Sequence, residues 1–290
     1  MGCINEITGH TKLTGLLGSP VAHSKSPLMH NEAFKELGLD YVYLCFDVPE
    51  NNLKTAFEGL KKLNVAGFNC TMPDKTLICE LVDELSPAAS MIGAVNTVVN
   101  DNGKYIGHNT DGIGYMQSVK DAGYNIIGEN MTLLGSGGAA SSILVQAALD
   151  GVKSINVFSL KDRFWGKAEK MVDAVNKNTD CKVTLFELGD DSVLADSIAN
   201  SRILTNATSV GMAPNTDNCI IPDKSMLSKD LIVSDIIYNP METKLIKMAK
   251  EQGCNTFNGL YMLLYQGAEA FKIWTGKDMP VEHIKKLYFD

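Results

Sequence analysis

A chain of 290 residues with 45% hydrophobic side chains is long enough for two ordinary domains, each with its own core. Its formal charge of −8 at pH 7 argues against a general coat for DNA or RNA, though not against a local anion site. No apolar stretch approaches the roughly 20 residues that cross a bilayer, and seven cysteines without a C-x-x-C spacing fit neither a disulfide framework nor a zinc site. The thiols read as small apolar side chains in a reducing, cytoplasmic setting. The five histidines form no close ligand pair, so no metal centre is expected. Residues 1–12 lack the basic start and apolar core of a signal peptide. Glu6 stands where a myristoylation site prefers Ser or Thr, so Met1-Gly2-Cys3 is not read as a lipidation signal.

In chain order, residues 13–17 predict a short strand and 27–37 a helix, with Ser26 as N-cap and Gly38 as stop. Residues 41–48 alternate as a strand, 53–63 carry apolar residues at helical spacing, and 65–70 read as a strand ended by Thr71-Met72-Pro73. Ser86-Pro87 opens a short helix. Runs 95–100 and 104–106 flank Asp101-Asn102-Gly103, a compact hairpin signal. The chain divides near residue 112, and a helix over 113–122 follows.

The most informative stretch comes next. An apolar run from Met131 meets Gly135-Ser136-Gly137-Gly138-Ala139 and turns into a helix over 139–149. A strand turning through glycines into a helix brings backbone N–H groups up to a pyrophosphate. The run is not a strict G-x-G-x-x-G, and glycine clusters also make plain tight turns. A second apolar run, 154–158, ends near Asp162, where a dinucleotide site places its ribose-binding acid. Strands at 183–186, 203–205 and 231–235, with helices between them, and helices over 260–274 and 281–288 complete the pattern. Strands alternating with helices imply an α/β protein built on parallel sheets.

Four polar clusters in the first part look like a small-molecule site, and each has a plainer reading. Ser24 and Ser26 suit a carboxylate or hydroxyls, or cap a helix. Lys75, after Asn69 and Thr71 at a strand end, suits proton transfer, or is a solvated surface lysine. Asn96-Thr97 suits a hydroxyl, or an ordinary turn. Asp111, after Asn109-Thr110, suits a pair with Lys75, a cap for the helix that follows, or both, and the sequence alone favours the cap.

Taken in order, Ser-x-Ser-Pro, N-x-T-x-P-x-K, G-A-V-N-T and N-T-D-G, then G-x-G-G-A, resemble the shikimate dehydrogenase family over essentially the whole chain. Asn206-Ala-Thr208, Tyr238-Asn239-Pro240 and Gly259 with Gln266-Gly-Ala268 fit it too. Met72-Pro-Asp-Lys75, Gly211-Met212 and Gln266-Gly-Ala-Glu269 look most like its quinate/shikimate branch. The resemblance implies an α/β substrate domain over 1–112, completed by 260–290, and a Rossmann NAD(P)-binding domain over 113–259. It implies reversible hydride transfer between the C3 hydroxyl of shikimate or quinate and a nicotinamide cofactor, in aromatic amino acid biosynthesis or quinate use. Lys75 and Asp111 would be the catalytic pair. Ser24, Ser26, Tyr43, Thr71, Asn96, Thr110 and Gln266 would bind the substrate. Gly135, Ser136, Gly137, Gly138, Ala139, Ser159, Lys161, Asp162, Thr208, Ser209, Ile236, Tyr238, Gly259 and Met262 would bind the cofactor.

The segment Phe158-Ser-Leu-Lys-Asp162 departs from the family, where many relatives carry Asn-Arg. Leu160 replaces an arginine that would clamp a 2′-phosphate, Lys161 offers charge without a planar fork, and Asp162 repels phosphate, so NAD is expected over NADP. Arg163 is the nearby cation that could still reach the ribose. Ser136 replaces the usual alanine, and Tyr261 stands where relatives often have glycine, where a ring would narrow the nicotinamide pocket or alter substrate access. The expected partner is a small-molecule substrate, with no nucleic acid and no membrane, and a homodimer is left open. Two other readings remain at this point: a non-catalytic nucleotide- or metabolite-binding regulator on the same scaffold, and a dehydrogenase of a shikimate analogue.

Overall fold

The computed structural model describes residues 7–289. Residues 1–6, which carry most of the leader reading and the lipidation reading, lie outside the described residues. The chain forms two compact units, 1–110 with 264–290, and 111–263.

The first unit opens with β1 (Lys12–Gly18), α1 (Ser26–Glu36), β2 (Tyr41–Asp47), α2 (Leu53–Lys62) and β3 (Gly67–Cys70). The two-residue β4 (Glu84–Leu85), α3 (Pro87–Ile92), β5 (Thr97–Asp101) and β6 (Lys104–His108) follow. The six strands form one sheet in the order β2-β1-β3-β5-β6-β4. In α2, Leu53, Phe57 and Leu60 share one face, and that face is buried against Leu17, Phe68, Val98 and Tyr105.

This sheet is not parallel throughout, as the alternation of elements had implied. β1 runs parallel to β2 and β3, whereas β5 is antiparallel to both β3 and β6. The hairpin reverses β6 against β5, whereas β5 already enters antiparallel to β3 through the connection over 71–96. Asn102 and Gly103 take φ of 52° and 94°, the left-handed pair that a tight two-residue turn needs. The consequence is functional. Asn69 at the end of β3 lies opposite Thr97 at the start of β5, and Thr97 lies opposite His108 at the end of β6. A parallel β5 would have carried Asn96 to the far edge of the sheet.

Ser26 is the first residue of α1 rather than its cap. Met29 N–H bonds the Lys25 carbonyl, which puts Lys25 at the capping position, and the Ser24 hydroxyl accepts the Ser26 N–H at 3.2 Å.

The second unit begins with α4 (Asp111–Asp121), so Asp111 is itself the first helical residue, an acid at the positive end of the helix dipole. Six strands and four helices follow: β7 (Asn130–Leu134), α5 (Gly138–Leu149), β8 (Ser154–Ser159), α6 (Trp165–Asn178), β9 (Lys182–Glu187), α7 (Asp191–Ala199), β10 (Ile203–Asn206), β11 (Ile232–Asp235), α8 (Lys244–Glu251) and β12 (Asn255–Asn258). Only β10 and β11 lack a long helix between them. The sheet is all parallel, in the order β12-β11-β10-β7-β8-β9. The chain order reverses between β7 and β10, and ligands bind at such a switch point in open α/β sheets.

The tail comprises α9 (Leu260–Thr275) and α10 (Val281–Tyr288). From residue 264 it belongs to the first unit. Trp274 Nε1 donates to the Val98 carbonyl at 2.9 Å, and its ring lies directly on Gly67, where any Cβ would collide with it.

Candidate active site

In the first unit, a chain of buried polar groups runs along the sheet edge described above. The Tyr43 hydroxyl donates to Asn69 Oδ1 at 2.8 Å. Asn69 Nδ2 donates to the Asn96 carbonyl and to Thr97 Oγ1, both at 3.0 Å. Asn96 Oδ1 accepts the Thr97 hydroxyl at 3.0 Å and the Thr110 N–H at 2.8 Å, and Asn96 Nδ2 donates to Thr110 Oγ1 at 2.9 Å. Ser26 also hydrogen-bonds Tyr43, yet burial holds that phenol well above its ordinary pKa. Ser24, Ser26, Thr71, Lys75 and Gln266 are partly exposed, whereas Tyr43, Asn96 and Thr110 are buried. The partly exposed residues can meet a ligand, and the buried ones fix the sheet edge beneath.

Lys75 stands on a turn that the backbone pins at several points. Thr71 N–H bonds the Leu17 carbonyl at 2.9 Å, Asp74 N–H bonds the Thr71 carbonyl at 2.9 Å, and the Lys75 carbonyl accepts the Val95 N–H at 2.8 Å. Asp74 beside it is fully buried, and neither of its carboxylate oxygens has a hydrogen-bond partner. Burial, with Glu50 nearby, raises its pKa. Behind Tyr43 lies His30, one helical turn beyond Ser26. Its ring stacks on Tyr43 at 4.5 Å, sits 5.2 Å from Trp274, and has no hydrogen-bond partner for either nitrogen. Burial lowers its pKa to about 3, so the imidazole is neutral.

In the second unit, the glycine turn fits a dinucleotide. Gly135 takes φ of 105° and packs on Ala207 and Thr208, so the turn after β7 meets the loop after β10 at the switch point. Gly137 and Gly138 face open space, with no atom within 4 Å of an added Cβ. No side chain caps α5, which leaves its first N–H groups for an anion. Ser136 Oγ lies 2.7 Å from Ser159 Oγ at the end of β8. Beyond Ser159, Leu160 is exposed, and one Asp162 oxygen accepts the Phe164 N–H at 2.8 Å. Lys161 Nζ lies 4.0 Å from Glu187 and over the Trp165 ring, and the Arg163 guanidinium lies over Phe164. Ser209 and Tyr238 are exposed, Ile236 follows β11 directly, and Tyr261 and Met262 are partly buried in the first turn of α9. Gly259 is pressed so closely on Ile236 that a side chain there would overlap its backbone.

Sequence reading gave no role to Asn69 or His30, and it offered Thr97 only with Asn96, as a pair suited to a hydroxyl. Asn69 and Thr97 lie inside motifs it quoted. His30 carries no sequence signal beyond its spacing of four from Ser26. Among the described residues, no helix is long and apolar enough to cross a membrane, and no group of three or more His, Cys, Asp or Glu is placed to hold a metal ion.

Two family models match this chain: the shikimate dehydrogenase substrate binding domain over residues 16–98, and the shikimate 5′-dehydrogenase C-terminal domain over 259–287. The chain is 54% identical over 284 residues to the shikimate dehydrogenase (NADP(+)) of Listeria monocytogenes serotype 4b, covering 98% of both. The chain belongs to the shikimate dehydrogenase family. Among solved structures, shikimate 5-dehydrogenase from Listeria monocytogenes in complex with shikimate and NAD matches with a TM-score of 0.95 at 54% identity, covering 98% of each chain. Quinate dehydrogenase from Corynebacterium glutamicum in complex with NAD matches with a TM-score of 0.83 at 31% identity, covering 95% of this chain and 98% of that one. The family resemblance and the two-part α/β fold read from the motifs therefore stand.

Proposed function

We propose that this protein is a shikimate dehydrogenase, oxidising the C3 hydroxyl of shikimate to a ketone and running the reverse reduction. The observation that carries the reading is the 54% identity to a shikimate dehydrogenase across essentially the full chain, with all four polar clusters in place. Oxidation of a secondary alcohol removes a hydride from carbon and a proton from oxygen. A bound nicotinamide dinucleotide supplies the hydride acceptor. Lys75 takes the hydroxyl proton as general base and returns it in the reverse direction, and Asp111 shares that proton path. Ser24, Ser26, Thr71 and Gln266 hold the carboxylate and the other hydroxyls, which fixes one hydroxyl for reaction. Asn96, Thr97 and Thr110 set the edge on which these residues stand. The α5 N-terminus and the glycine turn hold the pyrophosphate.

NAD is the preferred cofactor in this reading, although the Listeria relative is named for NADP(+). Leu160 offers no donor, Lys161 is drawn toward Glu187, and Asp162 adds negative charge, so a 2′-phosphate finds no fork to grip. Quinate is a second substrate to test, because a quinate dehydrogenase shares this fold at 31% identity.

The experiment is a four-way assay of cofactor reduction by absorbance, with shikimate and quinate each paired with NAD and NADP, alongside Lys75→Ala. Turnover of shikimate that collapses in the variant is the expected result. No turnover with any pair, despite measurable dinucleotide binding, would move the reading to a regulator or to an analogue dehydrogenase. Equal or better efficiency with NADP would overturn the NAD preference alone.

A further inference from the structure

Asp235, the last residue of β11, is 1% exposed and has no place in the reading above. It is saturated with donors. Its Oδ2 accepts the Thr243 hydroxyl at 2.7 Å, and its Oδ1 accepts Asn206 Nδ2 and the Ile237 N–H, both at 3.1 Å. Asn206, at the end of the neighbouring β10, passes this order on. Its Oδ1 accepts the Thr208 N–H at 3.1 Å and the Thr208 hydroxyl at 2.7 Å, and its Nδ2 also reaches the Val210 carbonyl at 3.3 Å. The Thr208 oxygen in turn accepts the Val210 N–H at 3.1 Å. The one hydroxyl proton of Thr208 is therefore spent inside its own loop, and its methyl carbon faces Gly135. On the other side of Asp235, the 236–237 backbone that it pins receives Gly259, whose N–H bonds the Ile237 carbonyl at 3.3 Å.

One carboxylate thus anchors two loops that carry cofactor candidates: 207–210, set against the glycine turn, and 236–237, set against Gly259. Both leave the carboxyl ends of strands, one of them at the switch point. We infer that Asp235 is a positioning residue for the dinucleotide, holding the 207–210 loop against Gly135 through Asn206 and the 236–237 turn against Gly259. The inference rests on the reading that the glycine turn binds the dinucleotide. It also reassigns Thr208, whose role is to lock its loop rather than to donate a hydrogen bond to the cofactor.

The test is NADH binding, followed by the fluorescence of the nucleotide, together with steady-state kinetics. Asp235→Ala strands Asn206 Nδ2 and the Thr243 hydroxyl, and its dissociation constant for NADH should rise about tenfold or more. Asp235→Asn keeps an oxygen for Asn206 and Ile237 and an NH2 for the Thr243 oxygen, so it should stay within about threefold of the parent. The shikimate KM, and kcat at saturating cofactor, should move far less than the NADH constant. A folded Asp235→Ala that binds NADH like the parent would overturn the inference. Should Asp235→Ala fail to fold, Thr243→Val removes only the outer bond. It should weaken NADH binding by about threefold, with Thr243→Ser restoring it. A folded Thr243→Val with parental affinity would then be decisive against the inference. Gly135→Ala separates the two layers. Parental NADH binding by that variant would overturn the glycine-turn reading and the inference with it. Loss of binding there, with parental binding by Asp235→Ala, would overturn the inference alone.

Discussion

At the scale of single residues, the proposed function divides the side chains into those that would meet ligands and those that hold them in place. Lys75 belongs to the first kind. Lys75→Ala should lower kcat about 10²–10⁴-fold, the usual contribution of a positioned acid–base, while NADH affinity stays near the parent value. A variant with full turnover would assign the proton step elsewhere. Leu160 belongs to the first kind by omission. Leu160→Arg would restore a planar fork beside Ser159, and one charge-assisted contact of this sort is worth about 1.5–3 kcal/mol. The kcat/KM with NADP should therefore rise about tenfold or more, with little change for NAD, and unchanged selectivity would show that the ribose lies elsewhere. The motifs offered candidates for the ligand-facing residues because short polar runs at strand ends suit reacting groups. The holding residues were not legible in the same way. Asn69 and Thr97 stand in plain view in the chain, but only the register that sets them opposite each other gives them a task. Asp235 looks like any acid at the end of an apolar run until its three donors are known.

At the scale of elements, periodicity locates long helices and buried strands well and short strands poorly. The glycine turn, its flanking strand and α5 were readable from an apolar run, three glycines and helical spacing. β4 has two residues and β12 has none that is fully buried, so neither carries a pattern. The hairpin signal at Asp101-Asn102-Gly103 was visible, but it carries nothing about the antiparallel direction in which β5 lies beside β3. That direction places Asn96 and Thr110 beside Asn69. A serine before a proline marked a helix start correctly at Ser86, whose side chain caps α3, but at Ser26 the helix has already begun. Packing between elements yields a sharper prediction at Gly67. The Trp274 ring and the Val98 carbonyl both occupy the space of a Cβ there, and Trp274 is held by its bond to Val98. Gly67→Ala must displace α9 or strain β3, and overpacking of this kind costs about 1–3 kcal/mol. A lowered urea midpoint, read through Trp274 fluorescence, is expected. An unchanged midpoint would mean that the ring has room to move.

At the scale of the whole molecule, the chain leaves its first unit at the Asn109-Thr110-Asp111 motif and returns to it within α9. The sequence pattern set a break near residue 112, and the family resemblance implied a return at residue 260; contacts put the return at residue 264, inside the uninterrupted helix α9. Those contacts put His30 among Tyr43, Phe34, Phe271 and Trp274, a box with no polar partner for the imidazole. The folded pKa of about 3 lies below the ordinary value of 6.5. Above pH 6.5 neither the folded nor the unfolded chain binds a proton at this site, so His30 makes stability there independent of pH. Between 6.5 and about 3 the unfolded chain takes up a proton that the folded chain refuses, so acid favours unfolding. The slope approaches about 1.4 kcal/mol per pH unit for one such group. His30→Phe keeps an aromatic ring in the box and removes the titration, and His30→Leu serves where the larger ring does not fit. Two units need not unfold together, so the probe must belong to the first one. The chain has two tryptophans, and Trp165→Phe leaves Trp274, 5.2 Å from His30, as the sole reporter. In that background the urea midpoint of the parent should fall more steeply between pH 6.5 and 4.5 than that of the His30 variants, with parallel curves above 7. Equal slopes on the acid side would mean that the box opens to let the imidazole take its proton before the unit unfolds.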